Sequence, residues 1–190
     1  MTRTDHEVAN DFVHGWVASP KQRRARFGRK LPVAVQVAAL SHPDLAMRRF
    51  CLSLLDHYAS DGSSHIFRRA LRDPVASVRE SALHGLACER CRHEDICVTA
   101  VVTDVTEILA SDPNPEVRHK ALAVLARFID RDGRAGDAIA RAAHHDSDAA
   151  IRRAAQVVVF SGQPHVRSRK AALRDARRAD RGSFSRPVTR

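Results

Sequence analysis

Three cysteines within ten residues form the densest cluster of reactive side chains in this chain. Cys88, Cys91 and Cys97 lie in CERCRHEDIC with the spacing C-x2-C-x5-C. Thiolates two residues apart can share one zinc ion, and Cys97 can add a third sulfur. His93, or His84 one helical turn before Cys88, can complete a tetrahedron. The spacing leaves three readings open: a zinc site, a redox-active or disulfide-forming pair, and a packed loop of reduced thiols. No second C-x2-C accompanies the first, so the packed loop is favoured and zinc is the only cofactor in contention. The fourth cysteine, Cys51, falls in a run of helical spacing and reads as core. Four cysteines in 190 residues are too few for a disulfide-built scaffold.

The remaining chemistry is mostly absent. Eleven histidines include the pair His144-His145, which reads as solvated at a turn. There is no glycine-rich phosphate loop, no G-x-S-x-G and no H-E-x-x-H, so no catalytic residue is assigned and a non-enzymatic role is expected. The charge is more informative. The chain carries a formal +10, unevenly placed. Residues 1–34 hold seven Lys/Arg against three Asp/Glu, and residues 167–190 hold nine against two. Between them, residues 35–166 hold sixteen against seventeen. A polyanion would therefore meet the two ends: Lys21, Arg23, Arg24, Arg26, Arg29 and Lys30 at one, and Arg167, Arg169, Lys170, Arg174, Arg177 and Arg178 at the other. No base-reading motif accompanies them, so nucleic-acid binding there would be nonspecific. No apolar run reaches the ~20 residues needed to span a bilayer, and the first ten residues do not read as a secretory signal. A cytoplasmic location and no membrane partner are expected.

The elements that must position these groups come from an internal repeat. HPDLAMRRFCLSLL from His42, DPVASVRESALHGL from Asp73, DPNPEVRHKALAVL from Asp112 and DSDAAIRRAAQVVV from Asp146 align without gaps, with starts 31, 39 and 34 residues apart. Five residues after each start the side chain is apolar: Met47, Val78, Val117, Ile151. The next column is Arg48, Arg79, Arg118, Arg152. Nine residues after the start stands a small residue (Cys51, Ala82, Ala121, Ala155), and thirteen after it an aliphatic one (Leu55, Leu86, Leu125, Val159). Apolar positions four apart make one helical stripe, and small residues in its middle admit a close neighbour. Pro74 and Pro115 suit a first helical turn, and Asp73, Asn114 and Asp146 or Ser147 suit caps. Before each start lies a second amphipathic stretch, at 33–40, 66–71, 101–109 and 138–143. Each unit is thus a short helix, a turn and a longer helix. No strands are expected, since 157–160 continues a helical stripe.

The pattern D-P-x-x-x-V-R-x-x-A-L-x-x-L in DPVASVRESALHGL and DPNPEVRHKALAVL resembles the HEAT and HEAT-like (phycobilisome-lyase type) repeats. The resemblance covers about residues 31–160. It is looser from His42, which lacks the Asp, and from Asp146, which lacks the Pro and has Gln156 where Leu is usual. The resemblance implies a right-handed α-solenoid of helix pairs (an α-α superhelix), with the Asp and Arg columns linking adjacent repeats. It implies a binding or scaffold role for a concave face built by the longer helices, with another protein as partner. Residues off the core stripe are the candidates: Arg49, Ser53, Glu80, His84, His119, Lys120 and Arg153. The phrase LHGLACERC resembles a loop of bacterial HEAT-repeat proteins without an assigned role. Two enzyme classes share the repeat. The HEAT-like alkylpurine DNA glycosylases use aromatic residues on a basic face, and here Trp16 is the only Trp, on a core-like stripe. The phycobilin lyases share only the repeat itself.

Three regions follow: a helical N-terminal cap with a basic segment at 1–30, four repeats at 31–160, and a basic extension at 161–190. Val8, Phe12, Val13 and Trp16 give the cap an apolar face. In the extension, 166–180 has helical spacing but little apolar content, and 181–190 reads as disordered.

Overall fold

The computed structural model describes residues 3–17, 31, 33–58, 63–87 and 97–161. These form helices and turns without strands, so the chain is all-α over the described residues. The chain divides into two compact units, Met1–Cys97 and Val98–Arg190.

The first unit contains α1 (Asp5–Val17), α2 (Val33–Ser41), α3 (Leu45–Tyr58), α4 (Ser64–Ala70) and α5 (Ala76–Ala87). Helix α1 buries Ala9 and Phe12 and packs on α2. His6 reaches Ser41 Oγ at 3.1 Å through Nε2, and its ring lies 5.0 Å from that of His42. Helix α2 packs on α3 and α4, and α5 packs on both α3 and α4. Their shared core holds Val35, Leu52, Leu55, Phe67, Val78, Leu83 and Leu86, all buried. Gly85 on α5 is there because the Phe67 ring of α4 occupies the space a β-carbon would need.

The second unit contains α6 (Val98–Ser111), α7 (Pro115–Ala126), α8 (Gly133–His145) and α9 (Ala149–Ser161). Helix α7 packs against all three others, and α9 also packs on α8. Asn114 caps α7 as expected: its side chain accepts from Glu116 N at 2.8 Å, and Pro115 follows at the first helical position. Asp132 caps α8 and pairs with Arg134, which also donates to Thr103 Oγ1 and Thr99 O of α6. The Arg134 side-chain hydrogen bond holds the Asp132 carboxyl below its ordinary range. The 157–160 run is helical, inside α9.

The repeat starts are tandem turns rather than simple caps. Asp112 Oδ1 accepts from Asn114 N at 2.9 Å, and Asn114 then caps α7. Asp146 Oδ1 accepts from Asp148 N at 2.8 Å, and Asp148 Oδ1 accepts from Ala150 N and Ile151 N. Asp148 therefore caps α9 in place of Asp146 or Ser147, because Asp146 is turned toward Arg118. Asp73 accepts from Val75 N at 2.8 Å, so Pro74 lies before α5 instead of within its first turn. In the first repeat His42 does the work of Asp: its Nδ1 accepts from Asp44 N at 3.1 Å, and Asp44 accepts from Ala46 N.

The Arg column makes a recurrent set of polar contacts, and two of its four members link successive starts as the resemblance implied. Each Arg reaches back to the carbonyl six residues earlier: Arg48 to His42 O, Arg79 to Asp73 O, Arg118 to Asp112 O and Arg152 to Asp146 O, at 2.7–2.9 Å. Two also reach forward to the next start within their own unit. Arg48 Nε lies 3.0 Å from Asp73 Oδ2. Arg118 binds Asp146 through two parallel hydrogen bonds of 2.9 Å. The column is structural, because every one of these contacts ties a helix to a turn.

The small-residue column is buried throughout, with Cys51, Ala82, Ala121 and Ala155 all at zero exposure. Burial pushes the Cys51 thiol up to about 11. It stays protonated at pH 8, where the thiolate is the reactive form. Iodoacetamide at pH 8 is expected to leave the Cys51 peptide unmodified in the native protein and to modify it fully in urea, read by mass spectrometry. Rapid native labelling would contradict the packing described. The aliphatic column holds for Leu55, Leu86 and Leu125, which are buried, and departs at Val159, which is exposed.

Candidate functional site

Helix α3 presents Arg49, Ser53 and His57 in register, four residues apart, and all three are exposed. On α5, His84 is exposed and Glu80, one turn earlier, is half-buried. The two helices pack together, so the first unit gathers four sequence candidates (Arg49, Ser53, Glu80, His84) on a neighbouring pair of helices. Beneath them lies a residue the repeat pattern did not single out. The Asp56 side chain is only 3% exposed, and among the described residues both carboxylate oxygens are buried without a hydrogen-bond donor. Its ion-pair distances are 3.4 Å to His84 Nε2 and 3.5 Å to His57 Nδ1, with the two imidazoles 63% and 50% exposed. His57 Nδ1 also sits 2.9 Å from Ser53 O.

The site is therefore one buried acid facing two surface imidazoles, one from each helix. A carboxylate behind an imidazole can fix the ring's orientation. Nε2 of His84 is the nitrogen that faces Asp56. Desolvating a carboxylate without donors is costly, and native structures hold few such groups. The signal for Asp56 was present in the sequence one position past the aligned block. Fourteen residues after the four starts stand Asp56, Ala87, Ala126 and Phe160, so the acid is the exception in an otherwise apolar column.

In the second unit the candidates separate. Lys120 on α7 and Arg153 on α9 are exposed. His119 is buried and so is not a surface contact as the off-stripe reading expected. Helix α7 has three packing partners and little free face. His144 and His145 are exposed at the end of α8, as expected, with ring centroids 6.1 Å apart.

Of the proposed zinc ligands, Cys97 is described and exposed, whereas Cys88, Cys91 and His93 lie outside the described residues, as do Lys21, Arg23, Arg24, Arg26, Arg29, Lys30, Arg167, Arg169, Lys170, Arg174, Arg177, Arg178 and the Trp16 side chain. Among the described residues no group of three His, Cys, Asp or Glu side chains is placed to hold a metal ion. No described helix is long and apolar enough to cross a membrane. Comparison with protein families, with curated proteins and with solved structures finds no match to this chain.

Proposed function

We propose that this chain is a non-enzymatic HEAT-type repeat protein that binds another protein through the face shared by α3 and α5. The observation that carries the proposal is Asp56. A buried carboxylate without a donor is a stability cost, and such costs concentrate where a surface is used. Its position sets it beneath His57 and His84, so that a partner meets two imidazoles over a buried carboxylate, flanked by Arg49 and Ser53. The Arg–Asp ladder supports the repeat reading, since it ties successive helix–turn units by the same contacts.

The test separates binding from folding. Tagged full-length protein is recovered from its native host, and the co-purifying partner is identified and its affinity measured. His84→Ala and Arg49→Ala are each expected to weaken that affinity about tenfold, equivalent to ~1.4 kcal/mol. Asp56→Leu is expected to weaken it similarly while leaving the melting temperature equal or higher, because replacing a buried charge by an apolar side chain is often neutral or stabilising. Unchanged affinity in all three variants rules the face out.

A second reading rests on the placement of charge, since the basic excess is confined to the two ends of the sequence. On that reading duplex DNA or RNA binds weakly and loses affinity steeply with added salt. Absence of salt-dependent binding by the full chain removes it.

A further inference from the structure

Carboxylates with buried side chains are supplied with donors elsewhere in the described chain. Asp73 accepts from Val75 N and lies 3.0 Å from Arg48 Nε. Asp146 takes the Asp148 amide and the two parallel bonds of Arg118. Asp112 accepts from Asn114 N. Asp56 is buried as deeply, yet among the described residues neither of its oxygens meets a donor. Its nearest charged or ionisable neighbours are the two surface imidazoles, His84 Nε2 at 3.4 Å and His57 Nδ1 at 3.5 Å. His57 Nδ1 also sits 2.9 Å from Ser53 O, and a carbonyl only accepts, so that nitrogen carries hydrogen. It offers no lone pair to a metal ion beside Asp56, and no described group of three such side chains is placed to hold one. What the carboxylate lacks is a donor that brings positive charge.

Resting on the reading of the α3–α5 face as a protein-binding surface, we propose that it takes an arginine side chain of the partner, whose guanidinium binds the Asp56 carboxylate. A guanidinium is the side-chain cation that meets two carboxylate oxygens with two parallel N–H bonds. The chain uses that pairing internally, between Arg118 and Asp146. Folding has already stripped Asp56 of water, so the arriving cation restores bonds to a carboxylate that has no hydration left to lose. The imidazoles decide how it enters. His84 is 63% exposed and His57 50%, so a rotamer change of the more exposed ring uncovers Asp56 from the solvent side. A ring turned aside can stack on the planar cation. Glu80, one turn before His84 on α5, adds a second carboxylate to the face, against one like charge, Arg49 on α3.

Two peptides test this on the full-length protein: acetyl-Gly-Gly-Arg-Gly-Gly-amide and the same peptide with citrulline, which keeps the shape of arginine without its charge. The readout is the ring-proton NMR signals of His57 and His84, assigned through His57→Gln and His84→Gln. The arginine peptide is expected to shift both signals saturably and to bind at least about tenfold more tightly than the citrulline peptide. Asp56→Asn should weaken the arginine peptide by a similar factor, whereas Asp5→Asn, at an exposed acid of α1, should have no effect. If Asp56→Asn lowers the melting temperature, the comparison of the two peptides on the wild-type chain decides alone. Absence of saturable shifts, equal affinity for the two peptides, or arginine binding that survives Asp56→Asn overturns the proposal. Zinc chloride that shifts both rings through Asp56, with the arginine peptide inert, assigns the carboxylate to a metal ion and overturns it too. The two readings fail separately: an inert arginine peptide, with native-partner affinity still lost on Asp56→Leu, removes the arginine and keeps the face.

Discussion

Arg118→Ala is expected to destabilise the protein by about 3–5 kcal/mol, the usual cost of removing one partner from a buried ion pair. The Arg118 side chain is 10% exposed and that of Asp146 4%. The guanidinium binds both Asp146 oxygens, Ser147 Oγ at 3.1 Å and Asp112 O at 2.8 Å. The Asp146 hydrogen bond is the main reason its pKa is raised. Alanine leaves a buried carboxylate with only the Asp148 amide, and a turn carbonyl that loses its Arg118 bond. Arg118→Lys should recover part of the loss, since one ammonium cannot span two oxygens and a distant carbonyl as a planar fork does. Arg48→Ala should cost less, because the Arg48–Asp73 contact is looser, with a second N–O distance of 3.5 Å. Urea unfolding at pH 7 measures all three, and a value for Arg118→Ala within about 0.5 kcal/mol of zero would falsify the structural role of the ladder.

Gly85→Ala should also destabilise, by roughly 1–3 kcal/mol, although alanine is the better helix former by about 1 kcal/mol. An added β-carbon would lie inside the van der Waals surface of the Phe67 ring, against Cδ1, Cε1 and Cζ. Phe67 is fully buried and has nowhere to retreat. The sign of the effect is therefore diagnostic: a stabilising Gly85→Ala would mean that α4 and α5 are further apart than described. Phe67→Leu creates room, so the double variant should be more stable than the two single losses added together, a coupling that a double-mutant cycle in urea resolves.

Much of this fold was legible because a repeat presents the same physical problem several times. The column of Met47, Val78, Val117 and Ile151 and the column of Cys51, Ala82, Ala121 and Ala155 gave the inward stripes, buried except at the half-buried Met47, and the recurrent Arg gave the ladder. The errors came where one copy met surroundings the others did not. His119 shares a column with Arg49, Glu80 and Arg153, yet α7 is enclosed by three helices and buries it. Val159 shares a column with three buried leucines, yet α9 has no later longer helix described upon it. Asp146 looked like a cap, but Arg118 holds it and Asp148 takes that task. The candidate site was half visible: Arg49, Ser53, Glu80 and His84 were found by exclusion from the stripe. Asp56 and His57 lay beyond the aligned block, and a buried acid can be recognised only once its burial is known.

His42 has a consequence for how such a series is allowed to begin. At the later starts Asp73 and Asp146 serve two masters, folding their own turn and accepting the arginine of the repeat before. Among the described residues no arginine of an earlier repeat stands before His42, so an aspartate there would lack the described cation that Asp73 and Asp146 have. The His42 Nδ1 accepts an amide hydrogen in the same way and brings no negative charge to be balanced.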